Sequence, residues 1–149
     1  MKKLLLISTL ILGFVFAGFS QEQTFNLPIT FKADAVAKVW FGKAWNGEYE
    51  KMDGSSAKNI VFDGKVLNIY FDSGRTFWKT NVISYQKKED KNSYEVKKIS
   101  YILKIKDEGY IKYVIISKDF DNYYTDIRIP YLDKLGEVFL YNYYQRNDF

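Results

Sequence analysis

The side chains of this chain that could do chemistry are mostly aromatic. Its 149 residues hold 13 tyrosines, 12 phenylalanines and three tryptophans, with no histidine and no cysteine. The two absences exclude Ser-His-Asp and Cys-His catalysis, thiol redox chemistry, ordinary zinc sites and the usual axial haem ligands. What remains is the chemistry of rings, which offer apolar area, π faces and, for tyrosine and tryptophan, a polar tip. Trp40, Trp45, Phe71, Trp78 and Tyr113 could line an apolar cavity and hold a small apolar molecule. The competing reading of the same rings is a solid interior, because a small barrel is filled either by side chains or by one ligand. Tyr124, Tyr141, Tyr143 and Tyr144 crowd the C-terminal third. They could build an exposed platform on which sugars stack or a partner protein docks.

The polar candidates carry less. Asp119, Asp121 and Asn122 bring oxygen ligands together, but calcium takes about six to eight oxygens. A turn capped by its own side chains is the stronger reading. Glu48 and Glu50 would be neighbours on one strand face, whereas glycoside hydrolysis needs two carboxyls facing each other across a cleft. Arg75 and Arg128 could hold a carboxylate or phosphate and read first as surface ion pairs. The chain is therefore expected to bind rather than catalyse, with no cofactor and no metal.

The elements that must position these rings read as strands, since aromatic and β-branched residues favour them. Asn59–Phe62 and Lys65–Phe71 flank Asp63-Gly64, a strong two-residue hairpin signal. Leu67, Ile69 and Phe71 alternate onto one face. Thr76–Tyr85 follows, and Gln86–Asn92 reads as a charged loop. Tyr94–Lys106 reads as a long strand whose alternation changes phase at Lys97-Lys98, the mark of a β-bulge. Asp107-Glu108-Gly109 makes a hairpin loop, and Tyr110–Ser117, Tyr123–Ile129 and Val138–Gln145 complete the run, with Pro130–Gly136 as a connection.

The N-terminal stretch is ambiguous. Ala33, Val36, Ala37, Trp40 and Phe41 recur at helical spacing before Gly42. Ala33–Phe41 therefore reads as one short N-terminal helix, or a helical turn running into a strand. The expected fold class is all-β, an antiparallel eight-strand meander. A barrel is preferred over a sandwich, because hairpin follows hairpin without a clear long crossover.

Met1–Ser20 reads as a secretory signal peptide: Lys2-Lys3, an apolar run over Leu4–Ala17, then small residues before Gln21. The run is shorter than the roughly 20 residues of a membrane span. No cysteine follows it, which excludes a lipoprotein anchor. It resembles the export signals of Gram-negative bacteria that cut before glutamine, so the expected location is periplasmic or extracellular. Cleavage leaves residues 21–149 as one β domain of 129 residues, and the net charge falls from +4 to about +2. Lys87-Lys88 and Lys97-Lys98 sit beside Glu89, Asp90 and Glu95, which argues against nucleic acid as a partner.

Gly42-Lys43-Ala44-Trp45, ahead of a meander that closes near Arg146, resembles the lipocalin-like (calycin-type) barrels. Those families carry a glycine-x-tryptophan near the first strand and a basic residue on the last strand that packs across the tryptophan. Here one extra residue separates the glycine from the tryptophan. The resemblance implies that Trp45 and Arg146 close the barrel floor in structural roles. The expectation for the whole chain is an exported, non-enzymatic protein holding a small apolar ligand in a barrel interior. The alternative is a cell-envelope domain that binds protein or polysaccharide through a tyrosine-rich surface.

Overall fold

The computed structural model describes residues 24–40, 50–93, 95–132 and 138–146, with the backbone alone at 38–40, 50, 132, 138, 139 and 146. The expected signal peptide over Met1–Ser20, the Gly42–Trp45 motif, Glu48 and the connection over 133–137 lie outside the described residues, as do the side chains of Trp40, Glu50 and Arg146.

The described elements are strands, each antiparallel to its neighbours: β1 (Ile29–Ala33), β2 (Ala35–Trp40), β3 (Glu50–Lys51), β4 (Lys58–Phe62), β5 (Val66–Phe71), β6 (Thr76–Lys91), β7 (Val96–Asp107), β8 (Tyr110–Asp119), β9 (Tyr124–Leu132) and β10 (Val138–Arg146). The sheet order is β1-β4-β5-β6-β7-β8-β9-β10-β2-β3. A single residue, Asp34, separates β1 from β2, yet β1 pairs with β4 at one end of the sheet and β2 with β10 at the other. One N-terminal run thus reaches both edges and curls the sheet into a nearly closed barrel. The Asp34 amide donates to the Tyr144 carbonyl at 3.1 Å, and the Met52 amide to the Asp34 carbonyl at 2.8 Å, which ties the bend in place. With β1 and β2 taken as one stave, the wall is the eight-strand meander that the sequence predicts, with the two-residue β3 added beside β2.

Over Ala33–Trp40 the chain is strand, not helix. Ile29, Phe31 and Ala33 point into the core on β1. Beyond Asp34 the phase slips, so that Val36 packs on the core while Ala35 and Ala37 are buried on the opposite face. A strand alternation that slips by one residue mimics helical spacing, which explains the sequence signal.

Gln86–Lys91 is also strand rather than loop. Its charges are paired: Glu89 lies 3.2 Å from Lys87 and 3.1 Å from Lys91, and Asp90 faces Lys98 across the ladder. Opposite charges at such positions support a strand. Strand β9 likewise runs through Pro130 to Leu132, further than the sequence suggests. The bulge expected near Lys97 is present, since Asp90 pairs with Lys98 and Lys91 with Val96, leaving Lys97 extra. At the β4–β5 turn the central residues are Gly64-Lys65, one position later than expected, with Gly64 at φ 99°. Asp63 flanks them, its Oδ1 accepting the Lys65 and Val66 amides at 2.8 Å. Glu108 (φ 49°) and Gly109 (φ 85°) form the β7–β8 turn.

The barrel is filled mainly by aliphatic side chains. Ile60, Phe62, Leu67, Ile69, Leu103, Ile105, Val114, Ile116 and Ile127 are fully buried, each such burial worth about 1.5–3 kcal/mol. One end is closed by the segment leading into β1. The Phe25 ring meets Tyr101 edge-on at 6.0 Å, and the Tyr101 hydroxyl donates to the Phe25 carbonyl at 3.0 Å. Tyr101 in turn packs against Phe62 (6.3 Å) and Tyr85 (5.9 Å).

Candidate ligand-binding site

The opposite end of the barrel holds a cavity of about 500 Å³. Phe77 and Trp78 from β6, Ile129, Pro130 and Tyr131 from β9, and Tyr141 and Tyr143 from β10 line it, with Asp107, Glu108 and Lys112 from the β7–β8 hairpin. Two consecutive β6 residues can face it because β6 is bulged there. Ile69 pairs with Trp78 and Tyr70 with Thr76, leaving Phe77 as the extra residue. A bulge re-aims a side chain that strict alternation would turn outward.

Rings run continuously around this mouth. Phe71 meets Phe77 at 5.2 Å, Phe77 meets Tyr143 at 6.4 Å, Tyr143 stacks on Tyr141 at 6.2 Å and 18°, and Tyr141 meets Tyr131 at 5.9 Å. Tyr143 is 9% exposed, and burial, with Tyr141 adding to it, pushes its hydroxyl up to about 12. It therefore stays neutral at physiological pH. The polar groups are few. Lys112 Nζ lies 2.8 Å from Asp107 Oδ2, both side chains largely shielded. Lys58 enters from β4, its ammonium 4.3 Å from the Phe71 ring centroid and 4.8 Å from that of Phe77. It donates to the Ser56 carbonyl. Burial lowers its pKa, partly offset by Asp53.

The sequence-predicted residues divide. Trp78 lines the cavity. Phe71 stands at its edge, packed on Phe77 and under Arg75, whose guanidinium is 5.0 Å away. The Trp40 backbone pairs with Phe139, and Trp45 lies outside the described residues. Tyr113 does not line the barrel interior. Lys112, Val114 and Ile116 take the inward positions on β8, so strand parity turns Tyr113 out, where it is 56% exposed. The four tyrosines expected on an exposed surface do not form one, since Tyr143 is buried and none of the other three is fully exposed. Tyr141 and Tyr143 face the cavity, while Tyr124 and Tyr144 lie half-buried on the other face.

Phe77, Ile129, Pro130, Asp107 and Lys112 were not foreseen as site residues. A bulge that doubles the inward aromatics has no marker in a run as uniformly strand-like as Thr76–Tyr85. Asp119 caps its own turn, Oδ1 accepting the Asn122 amide at 2.8 Å, and Arg128 pairs with Asp126 at 2.8 Å.

A second, more polar cleft of about 290 Å³ opens between the segment before β1 and the ends of β8–β10, where Lys118, Thr125 and Gln145 line it. Neither a scan against protein-family models nor searches of curated proteins and of solved structures finds a match for this chain.

Proposed function

We propose that this chain is an exported, non-enzymatic binding protein of the lipocalin-like kind, holding a small apolar ligand in the open end of its barrel. The observation that carries this reading is the aromatic-walled cavity of about 500 Å³ at one end of the barrel, with the other end closed by Phe25 and Tyr101. Its size falls within the roughly 300–1,000 Å³ of ordinary ligand sites, and its lining has their composition of apolar walls with a few polar groups. Asp107 and Lys112 are spent on each other, which suits a binding wall better than a pair of catalytic groups. Export rests on the signal-peptide pattern of Met1–Ser20. The alternative, docking of a protein or polysaccharide, would use the outer face of β8, where Ile111 and Tyr113 are exposed.

Titration of the mature protein with the neutral probe N-phenyl-1-naphthylamine tests the reading. Saturable one-to-one binding with blue-shifted emission, weakened several-fold by Trp78→Ala, is expected. Emission that rises without saturation, or that ignores Trp78→Ala, would remove the cavity from the account.

A further inference from the structure

Lys58 points into the barrel from β4 and is 5% exposed. Buried ammonium groups are costly unless paired with an opposite charge. Yet none of the ion pairs among the described residues includes Lys58. Its hydrogen bond goes to the Ser56 carbonyl. Its other contacts are the faces of Phe71 and Phe77. The nearby Asp53 carboxylate is occupied, accepting the Ser55 hydroxyl at 2.6 Å and the Ser56 amide at 2.8 Å. Among the described residues, Lys58 is therefore a cation that Asp53 offsets only in part, with no ion pair of its own, immediately behind a ring, Phe77, that lines the cavity.

We propose that the ligand is an amphiphile with a single anionic head group, and that Lys58 anchors that group. This rests on the cavity reading above and adds the charge of the ligand to it. Phe77 is 43% exposed and occupies the bulge, so rotation of one ring brings an anion from the cavity to the ammonium without breaking a strand pair. An ion pair then replaces a cation–π contact, in a setting of low dielectric where such a pair is worth more than at the surface. The remaining charges favour the same orientation. Lys112 already neutralises Asp107, and Glu108 lines the cavity from the hairpin on the far side of the barrel from β4. The apolar part of the ligand then lies along Trp78, Ile129 and Tyr141.

Decanoate and decanol, matched in chain length, separate the possibilities in calorimetric titrations of the mature protein, Lys58→Met and Lys58→Gln. The glutamine keeps a donor for the Ser56 carbonyl and so guards against misfolding of the methionine variant. The expected result is decanoate binding at least ten-fold tighter than decanol to the native protein, with the preference falling below two-fold in either variant while decanol binding is retained. Equal binding of the two probes to the native protein overturns the role of Lys58 but leaves the cavity reading standing. A decanoate preference that survives both substitutions also overturns it. Binding of neither probe overturns both.

Discussion

Phe77 on β6 and Tyr143 on β10 meet edge to face, with ring centroids 6.4 Å apart and planes at 72°, although β7, β8 and β9 lie between their strands in the sheet. The contact exists because the wall curls back on itself, and the bulge at Phe77 aims that ring across the opening. It joins the wall of the cavity to the closure of the barrel in a single pair of residues.

A double-mutant cycle on Phe77→Ala and Tyr143→Ala measures that contact. Aromatic pairs of this geometry contribute about 0.5–1.5 kcal/mol beyond the area they bury. Urea unfolding of the two single variants and the double variant should return a coupling in that range. A coupling near zero would mean that the rings are merely neighbours.

Asp126 should show itself in the pH dependence of stability. It is fully buried on the outward side of β9, its Oδ1 and the Oδ1 of Asn142 without hydrogen-bond partners among the described residues. Burial raises its pKa, opposed by Arg128 and Lys98. The folded state thus holds this proton to higher pH than the unfolded chain does. Its stabilising contribution is fully present below the unfolded carboxylate range and is lost as pH rises through the folded pKa. Glu89, lowered by Lys91 and Lys87, and Asp72, lowered by Lys32 and Asn59, run the other way and lose their contribution as pH falls. Asp126→Asn should therefore gain stability relative to the native protein as pH is raised from about 4 to 7. A stability difference that stays flat or falls over that window would contradict this assignment.

Ile129→Trp should fill the cavity. Ile129 packs on the core and lines the opening beside Tyr141. A larger ring there is expected to reduce probe binding at least ten-fold while leaving the thermal midpoint unchanged or higher, since the added volume enters empty space rather than a packed core. Unimpaired binding with a native-like unfolding curve would place the ligand elsewhere.

The barrel was legible in the sequence wherever local chemistry dictates geometry. The two turns around Gly64 and Gly109 set the hairpins, the alternation of Leu67, Ile69 and Phe71 set a buried face, and the phase slip at Lys97 announced its bulge. The helical reading of Ala33–Phe41 failed because the strand bends at Asp34 and buries alanines on both faces, which erases period-two contrast. Gln86–Lys91 hid as a loop because a run of charged residues lacks apolar alternation, while the ladder that makes it strand, with Asp90 opposite Lys98, depends on its pairing with β7. Less of the site was legible. Trp78 was singled out for a cavity, whereas Tyr141 and Tyr143 were expected on an exposed surface, and whether a tyrosine faces in or out depends on strand parity. Parity put Tyr141 and Tyr143 on the cavity wall and turned Tyr113 outward. Phe77 and the Lys112–Asp107 pair come together only through the bulge and the register of β7 with β8.

Native mass spectrometry of the mature protein, purified after export from a bacterial host and again after incubation with that host's lipid extract, tests the central claim most directly. The account predicts a discrete added mass, one ligand per chain, that disappears on denaturation and is absent from Ile129→Trp. A spectrum of the bare chain alone in both preparations would contradict it.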